Sequence, residues 1–196
     1  MRKTHGHQKL FTSFTYTPMD SINQQQAEDN HEDLHGAAAA KRIKTMAEKA
    51  NICFFCTKLT SGAPFATRPM SVQKVDDDGV LWFLSANDSH KNKEISEDAA
   101  VHLLFQGSSY SDFLSIYGRA TITEDKAIIK ELWGPMLKAW FTEGIDDPRI
   151  SAIKVAPLEG YYWDNKHGNA VAFIKTLAGA AMGKTLDDSI EGNLKV

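Results

Sequence analysis

Asp76-Asp77-Asp78-Gly79 constrains this chain more than any other four residues. It lies between Phe65–Val75 and the continuous apolar run Val80-Leu81-Trp82-Phe83-Leu84. Gly supplies the positive φ of a tight turn, so the two flanking runs must pair antiparallel as a hairpin. Further short runs read as strands at Ile52–Leu59, Val101–Gln106, Phe113–Thr123 and Ile150–Asp164, the last interrupted at Pro157 and Gly160. Gly118 inside the fifth implies a bulge or a close backbone approach. Six strands with few helices between them argue against alternating βαβ units. They lead to an expected mainly β fold, a six-stranded antiparallel split β-barrel with peripheral helices.

Helical spacing appears over Ala37–Lys49, after Thr123-Glu124-Asp125, over Met136–Phe141 beyond the Gly134-Pro135 break, and at Val171, Ile174, Ala178 and Ala181. The domain expected from this pattern spans residues 37–183. Residues 1–36, with Gln24-Gln25-Gln26 and little periodic apolar content, read as a polar tail in which Met19 is an alternative start. Residues 184–196 read as a loosely held end.

The loop after the hairpin carries the most informative chemistry. Asn87-Asp88-Ser89 is good N-cap sequence, and His90, Lys91 and Lys93 follow in the first helical turn. A helix N-terminus carries partial positive charge, which disfavours lysines there. A phosphate held at that end resolves the conflict; lysines pointing into water are the plainer alternative.

Composition narrows the classes. A net charge of −3 leaves no footprint for nucleic acid, and no apolar run approaches the length of a membrane span, so neither partner is expected and a cytoplasmic protein is the default. The two cysteines, Cys53 and Cys56, have C-x-x-C spacing. They sit in a strand pattern, where positions three apart point to opposite faces, so neither a dithiol nor a metal site is expected. No hydrolase, Walker or dinucleotide-fingerprint motif is present.

Arg68-Pro69-Met70-Ser71, Trp82-Phe83-Leu84-Ser85 and Ser89-His90-Lys91 together resemble the pyridoxamine 5'-phosphate oxidase-like split-barrel proteins, more closely their bacterial general-stress-protein branch. The resemblance runs from about Ala40 to Asp164. It implies flavin mononucleotide (FMN) as cofactor, with flavin adenine dinucleotide (FAD) as the alternative, and a homodimer. It also implies that the Arg68–Ser71 strand runs along the flavin ring, that Phe83–Ser85 lies beside the ribityl chain, that Lys91 contacts the phosphate, and that Gln106 reaches the flavin across the dimer interface.

The residue types suit that ligand. Arg68 and Lys91 are cations, Ser85 and Ser89 donate hydroxyls, and Met70, Phe83 and Leu84 are apolar walls. Trp140 and Trp163 are weaker candidates, to stack on the ring, with ordinary core packing as the alternative. The oxidases proper carry a C-terminal arginine segment at their substrate site, whereas no Arg follows Arg149 here, so activity on that phosphorylated vitamin is not expected. Two functions stay open: a flavin-dependent oxidoreductase of unknown substrate, and a non-catalytic protein holding flavin, haem or deazaflavin as a store or sensor. His90 and Tyr117 are the candidate acid–base groups, each with a structural alternative.

Overall fold

The computed structural model describes residues 30–60, 64–109, 111–168, 171–172, 174–175, 177–178 and 188–196. Strand β1 (Leu34–His35) precedes helix α1 (Ala37–Ala50), and β2 (Ile52–Thr57), β3 (Ala66–Ser71), β4 (Lys74–Val75) and β5 (Leu81–Ala86) follow. Helix α2 (His90–Glu97) leads to β6 (Ala100–Gln106) and β7 (Phe113–Thr123). Helix α3 (Lys126–Leu132), 3-10 turns at Pro135–Ala139 and Gly144–Asp146, β8 (Ile150–Asn165) and β9 (Ser189–Lys195) complete the order. The described residues between 171 and 178 are helical, as their spacing predicts; Ala181 lies outside the described residues.

All strands join one nine-stranded sheet, in the order β1-β9-β8-β7-β6-β2-β3, with β5 on β8 and β4 on β5. Pairing is antiparallel except between β1 and β9. The long β8 is the hub. One edge takes β7; the other takes β5 along Ile150–Val155 and β9 along Glu159–Asn165. Gly118 sits at a register shift in β7, and a Cβ there would lie 2.5 Å from the Ala156 carbonyl oxygen, so the two backbones meet only because the residue is glycine.

This architecture corrects the expected six-stranded split β-barrel. The sheet is open, and with α1, α2 and α3 against it the fold is mixed α/β. Strand β3 pairs with β2, β5 pairs with β4 and β8, and no ladder joins β3 to β5 among the described residues. The reason lies at two residues. Val72 N–H donates to the Asn51 carbonyl (2.9 Å), whereas Gln73 N–H donates to the Trp82 carbonyl (2.8 Å). The chain changes partner between them, and the strand expected over Phe65–Val75 breaks into β3 and β4. The hairpin turn itself is as expected, with Gly79 at φ 80° and its N–H donating to the Asp76 carbonyl.

The expected loose end is also corrected. Residues 189–195 form a strand, and Ile190 and Leu194 enter the core from it. Residues 31–35, assigned to the polar tail, pair with that strand.

One cluster of buried side chains fills one face of the sheet beneath α1, with Ile43, Met46, Phe55, Phe83, Leu103 and Ile153 at its centre. Phe55 and Phe83 meet edge-on, ring centroids 5.3 Å apart, a geometry worth about 0.5–1.5 kcal/mol beyond area burial. A second cluster gathers Leu84, Ile129, Leu132, Phe141 and Ile150. That cluster fixes the 3-10 turn after α3 against β5 and so builds one wall of the site.

Candidate functional site

Helix α2 begins as its sequence dictates. Ser89 is its N-cap, in extended backbone geometry, and its Oγ accepts from the Asn92 N–H. Lys91 is therefore the second helical residue. It is only 8% exposed, and its Nζ donates to Ser85 Oγ on β5. Ser85 Oγ in turn donates to Asn92 Oδ1 (2.8 Å), Asn92 Nδ2 donates to Ser151 Oγ (2.8 Å), and Ser151 Oγ donates to the Ser85 carbonyl (3.0 Å). This buried net ties α2 to β5 and β8 and fixes the lysine head.

No carboxylate forms an ion pair with Lys91 among the described residues. Burial pushes its ammonium down to about 8, the nearby Arg68 charge adds to that, and Glu94 opposes it. Arg68, expected as a second free cation, is committed elsewhere. Its Nη1 donates to Thr57 Oγ1 (3.0 Å) and its Nη2 to Glu94 Oε2 (2.7 Å). Burial alone would raise the Glu94 carboxyl, but hydrogen bonds from Thr57 and Arg68 outweigh it and hold the group below its ordinary value.

Lys91 faces a cavity of about 400 Å³. Met70 and Ser71 on β3, Leu84, Ser85 and Ala86 on β5, and Leu137, Trp140 and Phe141 near the 3-10 turn line it, together with Ile52, Pro69 and Gln73. The cavity lies where β3 and β5 have parted.

Of the ten residues singled out from sequence, the structure brings Met70, Ser71, Leu84, Ser85, Lys91 and Trp140 to this cavity. Ser89 stands just behind it, 3.2 Å from Ser85 Oγ, and Arg68 stands beside it with Glu94. Phe83 is fully buried against Phe55 and does not line it. Gln106 lines a second groove of about 470 Å³ with Phe54, Leu104, Phe105 and Phe113, which meets the first at Ile52 and Pro69. Sequence reasoning missed Leu137 and Phe141; their signal was an apolar i, i+4 pair directly after Gly134-Pro135.

A larger cavity, about 520 Å³, is bordered by His31, Glu32, Arg42 and Asp164. Its Arg42 is paired with Asp164 at 2.9 Å, so size does not single it out, whereas a buried cation without a carboxylate does single out the smaller one. The cysteines are free and buried; burial pushes the Cys53 thiol up to about 12, and Cys56 Sγ lies 3.3 Å from Thr67 Oγ1. Among the described residues no group of three or more His, Cys, Asp or Glu is placed to hold a metal, and no helix is long and apolar enough to cross a membrane.

This chain belongs to the pyridoxamine 5'-phosphate oxidase like family, whose model matches residues 38–187. The resemblance seen in the sequence is thereby borne out. Among solved structures, one assigned to general stress protein 26 from Jannaschia sp. CCS1 superposes with a TM-score of 0.67 at 19% identity, covering 80% of this chain and 97% of that one. General stress protein 26 from Bacillus anthracis str. Sterne gives 0.55 at 24%, covering 63% and 92%. The general stress FMN/FAD binding protein from Xanthomonas citri gives 0.52 at 23%, covering 61% and 82%. At these identities the likeness is one of fold. Protein bli-3 of Neurospora crassa is 28% identical over 105 residues, 49% of this chain, and the chain spans about half the length of that curated relative.

Proposed function

We propose that the cavity between β3 and β5 holds FMN, with FAD as the alternative. The observation that carries this reading is Lys91, a buried ammonium with only hydroxyl company. Leaving a charge desolvated costs several kcal/mol, and a phosphate of the ligand would supply the missing anion. The donor set fits: Lys91 and Ser85 would meet the phosphate, Ser89 and Asn92 hold them in place, and Met70, Leu84 and Trp140 give apolar walls of the kind a flat ring system needs. The Xanthomonas citri neighbour, described as an FMN/FAD binding protein, supports the same ligand class.

Flavin bound here would supply hydride or single-electron transfer. The chain's own residues would bind and orient it and exclude water. Family membership supports an oxidoreductase of the general-stress type, with substrate unassigned. A specific observation favours the second reading, a store or sensor without turnover: Lys91 is the one titratable side chain lining the cavity among the described residues.

The homodimer belongs to this proposal. Ile52 (54% exposed), Phe54 (56%) and Leu104 form an apolar face beside Gln106, and a second copy is the partner that would cover it.

Titration of flavin-free protein with FMN and with riboflavin tests the site. Lys91→Ala should weaken FMN binding about ten- to a hundred-fold, as a charge-assisted contact of about 1.5–3 kcal/mol requires, and leave riboflavin nearly unchanged. Equal losses for both ligands, or none, would remove the phosphate contact. Anaerobic bleaching of the yellow protein by NADH or NADPH would then separate enzyme from store.

A further inference from the structure

Flavin binding does not exhaust what Lys91 can do. Amine nucleophiles in proteins need an amine that loses its proton readily, a partner that relays protons, and a water-poor space beside it. Each is present. The ammonium is 8% exposed, its hydrogen-bond acceptor is the Ser85 hydroxyl rather than a carboxylate, and the cavity it faces has Met70, Leu84, Leu137 and Trp140 as walls. Glu94, the acid whose charge supports the Lys91 ammonium, is occupied by Arg68 and Thr57.

We infer that in the phosphate-free protein the Lys91 amine condenses with small, mainly apolar aldehydes to form imines. The nitrogen lone pair adds to the carbonyl carbon while the C–O π pair moves to oxygen. A proton passes from nitrogen to that oxygen, with Ser85 Oγ placed to relay it. The carbinolamine then loses water and leaves an imine, with no oxidant or reductant consumed. The walls restrict the aldehyde to an apolar body, and a phosphate competes because it holds Lys91 in the charged form.

Burial supports the geometry. With its ammonium near 8, about a tenth of the amine is neutral at pH 7, against well under a thousandth for a lysine at its ordinary value of about 10.4.

The test uses flavin-free protein, benzaldehyde and sodium cyanoborohydride at about pH 7.5, followed by digestion and peptide mass spectrometry. Expected is an N-benzyl group on Lys91, formed faster than on exposed Lys93 of the same helix, which lines no apolar cavity beside Ser85. Benzylation spread over exposed lysines with none at Lys91 would overturn the inference. Two further arms separate it from the flavin reading. Labelling of Lys91 that FMN fails to slow keeps the imine and removes the phosphate contact. Absence of labelling, with FMN affinity still lost selectively in Lys91→Ala, removes the imine and keeps the phosphate contact.

Discussion

Lys91 donates to Ser85 across the gap between α2 and β5, and the charge it carries there is not neutralised by any carboxylate ion pair among the described residues. A cation in that position is a cost to the free protein and an attraction for an anion. The first three predictions follow from that one contact and from the Arg68–Glu94 pair beside it.

FMN affinity should depend on pH where riboflavin affinity does not. The phosphate loses its second proton near pH ~6, and Lys91 in the free protein loses its own near about 8. Affinity should therefore be highest between these values and fall as pH rises above about 8, because binding must then return a proton to the amine. Flavin fluorescence titrations at stepped pH check this; a flat FMN curve through pH 8–9 would remove Lys91 from the phosphate.

The free protein should gain stability from Lys91→Met. Burial depresses the folded ammonium to about 8 from its ordinary value of 10.5. Its penalty is thus fully present below about 8, and stability rises as pH climbs from about 8 towards 10.5, where the unfolded chain still binds the proton. Met removes the penalty. An increase of about 1–3 kcal/mol near neutral pH is expected, at roughly 2–4 °C in Tm per kcal/mol, with the alkaline rise abolished. Thermal scans of both proteins at neutral and alkaline pH read it out, and a loss of stability in the variant would contradict it.

Glu94→Gln should do two opposite things. It strips charge-assisted bonds from Arg68 and Thr57 and should cost about 1–3 kcal/mol of stability. It also removes the charge that supports the Lys91 ammonium, so the alkaline fall in FMN affinity should move below its wild-type midpoint near 8. An unmoved midpoint would mean that the two groups do not sense each other.

Phe54→Glu should give a monomer. Phe54 and Leu104 are cross-strand partners on β2 and β6, both exposed, and a buried carboxylate at their centre would not tolerate a second copy. Light scattering at micromolar concentration checks this; a wild-type protein already monomeric would remove the proposed dimer.

Features set by neighbours in the chain were legible. The Asp76–Gly79 turn, the Ser89 cap, the bounds of β7 and the bulge at Gly118 follow from local backbone preference and alternation. What escaped was decided between distant residues. Nothing near Val72 announces that its partner is Asn51 while Gln73 turns to Trp82. Ile190 and Leu194 share one strand face but stand four positions apart with Gly192 between them, in an otherwise polar stretch, so β9 was missed. For the site, the residue types were readable while their partners were not. Arg68 looked free because Glu94, which neutralises it, lies 26 positions away.

The parallel pairing of β1 with β9 sets an order of assembly. Leu34 and Leu194 are register partners from segments far apart in the sequence, whereas β6 and β7 are joined by a short loop. Closing a long loop costs more entropy than closing a short one, and the cost precedes any return from contacts. The β6–β7 hairpin can therefore form while the chain is still being extended, but β1 must wait until β9 has been made. Hydrogen exchange should find amides at the β1–β9 edge opening before those of β7, and a ribosome-held chain lacking β9 should have most of its sheet but an unsealed margin.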